Sequence, residues 1–407
     1  MNTTSLSTPP TDYELRLHGQ ASQVDAAAWD ALLALQPRPT PFMRHAYLAA
    51  LEASGSATAR TGWAPRFFTL WRAGTLHAAC ALYVKSHSWG EYVFDWTWAE
   101  AHERHGLPYY PKAVVAVPFT PVPGTRLLAR SDEARTALMR ALLAWAGESR
   151  LSSLHLLFAA EGDLAAARAA GLMVRAQVQF HWHNQRPGGT QPFADFDDFL
   201  ATLNQDKRKK IRQERRRVRE AGVGFRVLRG REIAAADWDF FYRCYERTYL
   251  EHGNPPYLTR DFFACMQEHM PEAWVLFVAE RAGRAIASSL IAVSALQTSA
   301  NGQNESENIA YGRYWGALER VDCLHFEACY YQPIAWCIAH GVRRFEGGAQ
   351  GEHKMARALM PVPTQSAHWL AHPAFADAVD RYLAREGQGM AQYLADLQRR
   401  NPFRQAG

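Results

Sequence analysis

The sequence predicts an α/β (α+β) protein built from two tandem domains, each a mixed, partly antiparallel sheet flanked by helices. Three observations lead there. A chain of 407 residues with 48% hydrophobic content exceeds one ordinary core and can bury two. Two pairs of similar stretches recur in the same order, the pattern a duplicated unit leaves behind. Strands and helices are mixed within each half instead of alternating strictly, which argues against a doubly wound parallel sheet.

The first half begins with a strand in "DYELRLHG" (12–19) and continues through helices over 25–35 and 42–54. "RFFTLWRAGTLHAACALYVKS" (66–86) then reads as two strands joined at Arg72-Ala73-Gly74. After it come a strand in "AVVAVPF", a helix over 131–148, a strand in "LSSLHLLF", a short helix ending at Ala170, and a strand in "LMVRAQVQFHWHN". The Pro- and Gly-rich segment "NQRPGGTQPFADF" (184–196) gives the expected boundary, with domains over 1–184 and 185–407.

The second half repeats the grammar. "WVLFVAERAGRAIASSLIAVS" (274–294) is again a hairpin, turning at Arg281-Ala282-Gly283. "RALLAWAGESRLSSLHLLFA" (140–159) and "QPIAWCIAHGVRRFEGGA" (332–349) both run helix, break, strand. The polar stretch "TSANGQNESEN" (298–308) reads as a long exposed hairpin loop. From Pro373 the period is helical, with a break expected at Gly387–Gly389.

Composition narrows the function classes. No apolar run reaches membrane-spanning length, and "MNTTSLSTPPTDYELRLHG" lacks the basic start and apolar centre of an export signal, so a cytoplasmic protein is expected. The six cysteines contain no CxxC pair and read as reduced core residues. Zincin spacing fails because His102 and His105 are three apart; His181 and His183 share a strand face without a second ligand pair, so no metal site is expected. Neither a G-x-S-x-G elbow nor a Walker loop occurs, which disfavours serine acyl-enzyme and P-loop chemistry. The aromatic-rich "YVFDWTWAEAHERHGLPYYPK" (92–112) suits core packing better than a groove lining.

The net charge of +5 is mild, but it is concentrated. "FDDFLATLNQDKRKKIRQERRRVREAG" (196–222) has helical spacing, with Leu203, Ile211 and Val218 as its apolar stripe. Nine cations, among them Lys207, Arg208, Lys210 and Arg212, face only Asp206, Glu214 and Glu220. A solvated face stapled by pairs such as Lys210 with Glu214 and Arg216 with Glu220 is one reading. A polyanion surface for RNA, a nucleotide-linked cofactor or a phosphorylated lipid intermediate is the other, because such pairs leave most of the charge unmatched.

The remaining signal is "FEGGAQGEHKMARAL" (345–359), which carries the last lysine of the chain, Lys354, after a glycine-rich turn. A strand ending near Trp315 and a helix starting near His325 with Glu327 in its first turn precede it. Together with "DWTWAEAHERHGLPYYPKAVVAVPFTPVPGTRLL" and "DKRKKIRQERRRVREAG", this stretch resembles the FemAB-like branch of the GNAT-type N-acyltransferases, over nearly the whole chain. The resemblance implies a pair of GNAT-like domains and the transfer of an acyl or aminoacyl group to a primary amine, with a cell-envelope precursor among the acceptors. No permanently bound cofactor is implied. Donors would be acyl-CoA or aminoacyl-tRNA, and "GALERVDCLHF" lacks the spaced glycines of a GNAT pyrophosphate loop.

The resemblance places Lys354 at the reacting or phosphate-bearing end of the substrate, and the needs of acyl transfer suggest the remaining roles. Lys354 would stabilise an oxyanion or a phosphate, while Gly347, Gly348 and Gly351 let backbone approach the ligand and Gln350 joins them as a substrate-binding candidate. Glu327 or His325 would take a proton, and Tyr311 or Tyr314 would protonate the leaving group. A GNAT-shaped protein that binds RNA or a phosphorylated envelope precursor without catalysis is the alternative.

Overall fold

The computed structural model describes residues 12–294, 308–349 and 351–404. The chain divides into two compact units, one running to Gln177 and including Pro363–Gln392, the other Val178–Val362 together with the chain from Tyr393.

The first unit opens with strand β1 (Glu14–His18), then helices α1 (Ala26–Ala34) and α2 (His45–Ala53). Asp25 starts α1 by accepting the amides of Ala27 and Ala28. Strands β2 (Trp63–Arg72) and β3 (Thr75–Lys85) form the predicted hairpin. Helix α3 (Trp96–Arg104), β4 (Lys112–Val115), β5 (Leu128–Ala129), α4 (Asp132–Glu148), β6 (Ser153–Leu156) and α5 (Glu161–Ala169) follow. Strand order from β1 to β6 is antiparallel except that β4 and β6 run parallel, so the sheet is mixed as expected.

Strand β7 (Met173–His183) carries the chain into the second unit. Helices α6 (Phe196–Thr202) and α7 (Gln205–Glu220), strand β8 (Val223–Arg229), helices α8 (Ala235–Glu251) and α9 (Arg260–His269), and strands β9 (Trp274–Arg281), β10 (Arg284–Val293) and β11 (Ile309–Ala317) come next. Helix α10 (Leu324–Phe326) passes through a π-helical segment, Glu327–Tyr331, into α11 (Gln332–Ala339) and strand β12 (Arg344–Ala349). The sheet order is β7-β12-β11-β10-β9-β8, with β11 and β12 parallel and the other pairs antiparallel. Strand β13 (Met360–Leu370) then leads into the first unit, where it pairs with β6. Helix α12 (Pro373–Arg399) closes the chain.

The duplicated hairpins match in detail. Arg72 pairs Thr75 and Arg281 pairs Arg284, leaving two-residue loops in which Ala73 and Gly74 (φ 48° and 74°) and Ala282 and Gly283 (φ 50° and 74°) are all left-handed. Such a primed turn follows the strand twist, and glycine takes its second position without steric cost.

Three expectations are corrected. The stretch 196–222 is two helices, because Leu203 and Asn204 are extended and Asn204 accepts the amide of Lys207 as the cap of α7. Helix α12 runs unbroken through Gly387 and Gly389; the glycines cost helix propensity, but neighbouring residues outvote them. The Pro- and Gly-rich segment lies inside the second unit, since β7 crosses earlier, and Pro363–Gln392 belongs to the first. The expected loop over 298–308 falls on residues outside those described, Asn308 excepted. Among the described residues no helix is long and apolar enough to cross a membrane.

Each unit has its own core. In the first, Phe68, Leu82, Leu138 and Leu156 pack between sheet and helices. The aromatic segment contributes Trp98 and Tyr109 to a neighbouring cluster with Val379 and Leu383. Below it Lys112, fully buried, is matched by Glu91 at 2.8 Å and by Asp95. In the second unit Phe199, Ile211, Phe277, Ile334 and Phe345 fill the space under α6, α7 and α11.

Candidate functional site

Two cavities in the second unit each take part of their lining from residues 325–332, His325, Cys329 and Tyr330 in one and Glu327 and Gln332 in the other. The smaller, about 160 Å³, is lined by Ser289 to Ile291 of β10, Gly312 to Trp315 of β11, His325, Cys329, Tyr330, Phe345, Gly347 and Lys354. Of the catalytic candidates it gathers Lys354, His325 and Tyr314. The sequence places them there because β11, α10 and the turn after β12 converge at the end of the sheet.

Lys354 sits in a 3₁₀ turn, Glu352–Arg357, that starts at Gly351 with φ 107°. Its ammonium donates to the carbonyl of Gly348 at 3.2 Å, and Gly348 itself is left-handed with φ 77°. Burial lowers the Lys354 pKa to about 8, with Cys329 acting in the opposite direction. The glycine at 347 is required by space: an added Cβ would lie 2.4 Å from Leu359 Cδ2, 3.1 Å from the Phe180 carbonyl and 3.5 Å from Lys354 Cδ. Gln350 falls outside the described residues.

His325 stands at the cavity mouth against the rings of Trp315, Phe326 and Tyr330. Loss of solvent to the surrounding protein, then the charges of His353, Arg357 and Lys354, pushes its imidazole down to about 4. The residue nevertheless keeps an exposed edge. Tyr314 oxygen accepts Arg313 Nη2 at 3.0 Å. Tyr311 is buried in β11, opposite Ala292 and Glu346, and does not line the cavity.

Glu327 is not brought together with Lys354. It lines the larger cavity, about 860 Å³, whose other wall is α7 with Arg208, Lys209, Arg212, Arg215, Arg216 and Arg219. Its carboxylate accepts Arg215 Nε at 3.2 and 3.3 Å and Gln332 Nε2 at 2.7 Å. Of the predicted polyanion contacts, Arg208 and Arg212 line this groove, whereas Lys207 and Lys210 do not. The expected Arg216–Glu220 pair is present at 3.6 Å. Glu214 instead turns inward, accepts Arg357 Nη2 at 3.0 and 3.1 Å and receives the Tyr331 hydroxyl.

Sequence reasoning missed Glu214, Arg357, Cys329 and Tyr330. For Glu214 a signal existed: Ile211, Glu214 and Val218 are spaced three and four, so the acid lies on the buried stripe, where a carboxylate needs a partner. The π-helical segment had no such signal.

Chemically, the small cavity combines an ammonium, an imidazole held neutral and a phenol around a space large enough for a reacting carbonyl and amine. The groove supplies the charge to hold phosphates.

A FemAB-like family model, described as peptidoglycan biosynthesis/recognition, matches residues 20–405. No curated protein matches the chain significantly. Among solved structures it is similar to FemX, at 11% identity over 88% of this chain and 98% of that one, with a TM-score of 0.52. It is also similar to L-PGS from Bacillus licheniformis, at 12% identity over 88% and 97% of the two chains, with a TM-score of 0.51. At these identities the likeness to both structures is one of fold.

Proposed function

On the premise that the chain belongs to the FemAB-like family, matched over residues 20–405, we propose that its second unit is an N-acyltransferase, moving an acyl or aminoacyl group to a primary amine. The observation that carries this reading is the convergence of Lys354, His325 and Tyr314 on one cavity beside Gly347, where an added Cβ would crowd Leu359 and the Phe180 carbonyl.

The acceptor nitrogen attacks the carbonyl carbon of a thioester or aminoacyl ester, and the carbonyl oxygen takes the negative charge. The Lys354 ammonium stabilises that oxyanion. His325, neutral at physiological pH, accepts the proton released by the attacking nitrogen. The carbon–sulfur or carbon–oxygen bond then breaks as Tyr314 donates its proton to the leaving atom. Arg313, donating to the Tyr314 oxygen, stabilises the phenolate that results. Holding both reactants in a space of about 160 Å³ supplies much of the acceleration. Glu327, turned to Arg215, takes no proton in this scheme.

The donor is acyl-CoA or aminoacyl-tRNA, and the arginine groove suits the phosphates of either. An envelope precursor is an acceptor of the right kind. Incubating the protein with acetyl-CoA or alanyl-tRNA and a lysine-containing peptide, with mass spectrometry of the amide product, tests the reading. Absence of amide product with either donor defeats it, and product formation that survives Lys354→Met unchanged removes Lys354 from the mechanism.

The groove itself favours a second reading, a polyanion binder without catalysis, because its arginines need no reacting group. Stabilisation in a thermal melt by polyanions alone, and by no acyl-CoA or aminoacyl-adenosine mimic, would select that alternative.

A further inference from the structure

Helix α7 holds both ends of the π-helical segment. At the first residue, Glu327 accepts Arg215 Nε at 3.2 Å; at the last, the Tyr331 hydroxyl donates to Glu214. Between them Cys329 and Tyr330 form part of the wall around Lys354. Glu214 also holds Arg357, three residues beyond Lys354 in the same 3₁₀ turn, and Arg357 Nη1 donates to the His353 carbonyl at 2.8 Å. Adjacent residues of one helix therefore fix two sides of the cavity.

The two anchors differ in exposure. Glu214 and Arg357 are buried, and Glu214 does not line the groove. Arg215 does line it, its side chain is 29% exposed, and its partner Glu327 is 5% exposed. A phosphate in the groove competes with Glu327 for Arg215, while the Glu214 anchor stays out of reach.

We propose that Glu214 and Arg215 are positioning residues that couple occupancy of the groove by a phosphate polyanion to the shape of the Lys354 cavity. The inference rests on the reading of that cavity as the reacting site. A π-helical turn carries one residue more per hydrogen-bonded ring than an α-turn and is an insertion in an otherwise α-helical run. Freeing its first residue while the last stays held lets the segment re-register, which rotates Cys329 and Tyr330 relative to Lys354. Coupling of this kind is reciprocal, so a ligand that fixes Tyr330 alters groove affinity by the same factor.

Hydrogen exchange read by mass spectrometry on the full chain, with tripolyphosphate as the probe at saturation, tests the coupling without requiring turnover. Exchange over residues 324–332 and 352–358 should change by at least about fivefold, the low end of ordinary site-to-site coupling. In Arg215→Gln, saturated with the same probe, the change should vanish. In Glu214→Gln the pH midpoint of Lys354 acylation by an N-hydroxysuccinimide ester should move, a readout that a merely structural role would leave in place. Saturable binding with unchanged exchange, an equal change in Arg215→Gln, or no binding of tripolyphosphate would each overturn the coupling. The transferase reading would stand or fall separately, on whether the wild-type protein forms amide product.

Discussion

Glu214 and Arg357, 143 residues apart in sequence, form a buried ion pair at 3.0 Å that joins the most basic helix of the chain to the turn carrying Lys354. The pair is completed by the Tyr331 hydroxyl on the same carboxylate. Removing one member leaves the other buried and unmatched. Glu214→Ala should therefore cost about 3–5 kcal/mol, whereas Glu214→Leu combined with Arg357→Met should cost far less. Urea unfolding of the two variants checks this; equal losses would mean the desolvation penalty has been misjudged.

Lys354→Met should lower turnover at least about tenfold, on the order of 1.4 kcal/mol of transition-state stabilisation. Because burial holds the Lys354 pKa at about 8, the ammonium is the major form at neutral pH and fades above it. Activity should then fall as pH rises through about 8, and Lys354→Arg, charged throughout, should shift that alkaline limb upward. A wild-type profile flat to pH 9 would deny the ammonium a part in the rate.

Gly347→Ala and Gly387→Ala should have opposite signs. The first puts a Cβ 2.4 Å from Leu359 Cδ2 and close to a backbone carbonyl, an overpacking worth about 1–3 kcal/mol of destabilisation. The second adds a methyl in α12 with nothing within 4 Å, and should stabilise by up to about 1 kcal/mol. Thermal melts of both variants decide it.

In the first unit, His155 Nδ1 lies 2.8 Å from His368 Nδ1, and both rings are buried. Asp95, Lys112, Tyr109 and Ser153 face His155, and Arg175 acts on both rings. Burial, then Arg175, lowers the His368 pKa to about 3; burial, then Lys112, holds His155 well below the usual range. A folded pKa below the unfolded one gives stability that is present above about pH 6.5 and lost as pH falls toward the folded value. The unfolding free energy of the wild type, measured against His368→Asn, should therefore shrink on acidification from pH 6.5 toward 4. A gap that stays constant would place His368 in another protonation state.

Groove charge should show in salt dependence. Arg208→Ala with Arg212→Ala should weaken tripolyphosphate binding and flatten its dependence on ionic strength, since each cation removed is one fewer phosphate neutralised. Lys207→Ala with Lys210→Ala should do neither, because those side chains do not line the groove. Isothermal titration at two salt concentrations compares them.

By itself the sequence determined what depends on local periodicity and turn chemistry: the twin hairpins with their Arg-Ala-Gly turns, most helices, the mixed sheets and the concentration of charge on 205–220. It also named Lys354, His325 and Tyr314 as candidates, and these three side chains line one cavity. Tertiary structure alone decided where Glu327 and Glu214 point. A carboxylate goes to the nearest cation that can match it after desolvation, and Arg215 and Arg357 become neighbours only once α7 packs on the π-helical segment. Glycine breaks and linker composition misled for the same reason, because packing across the chain outweighs propensities of about a kilocalorie per residue.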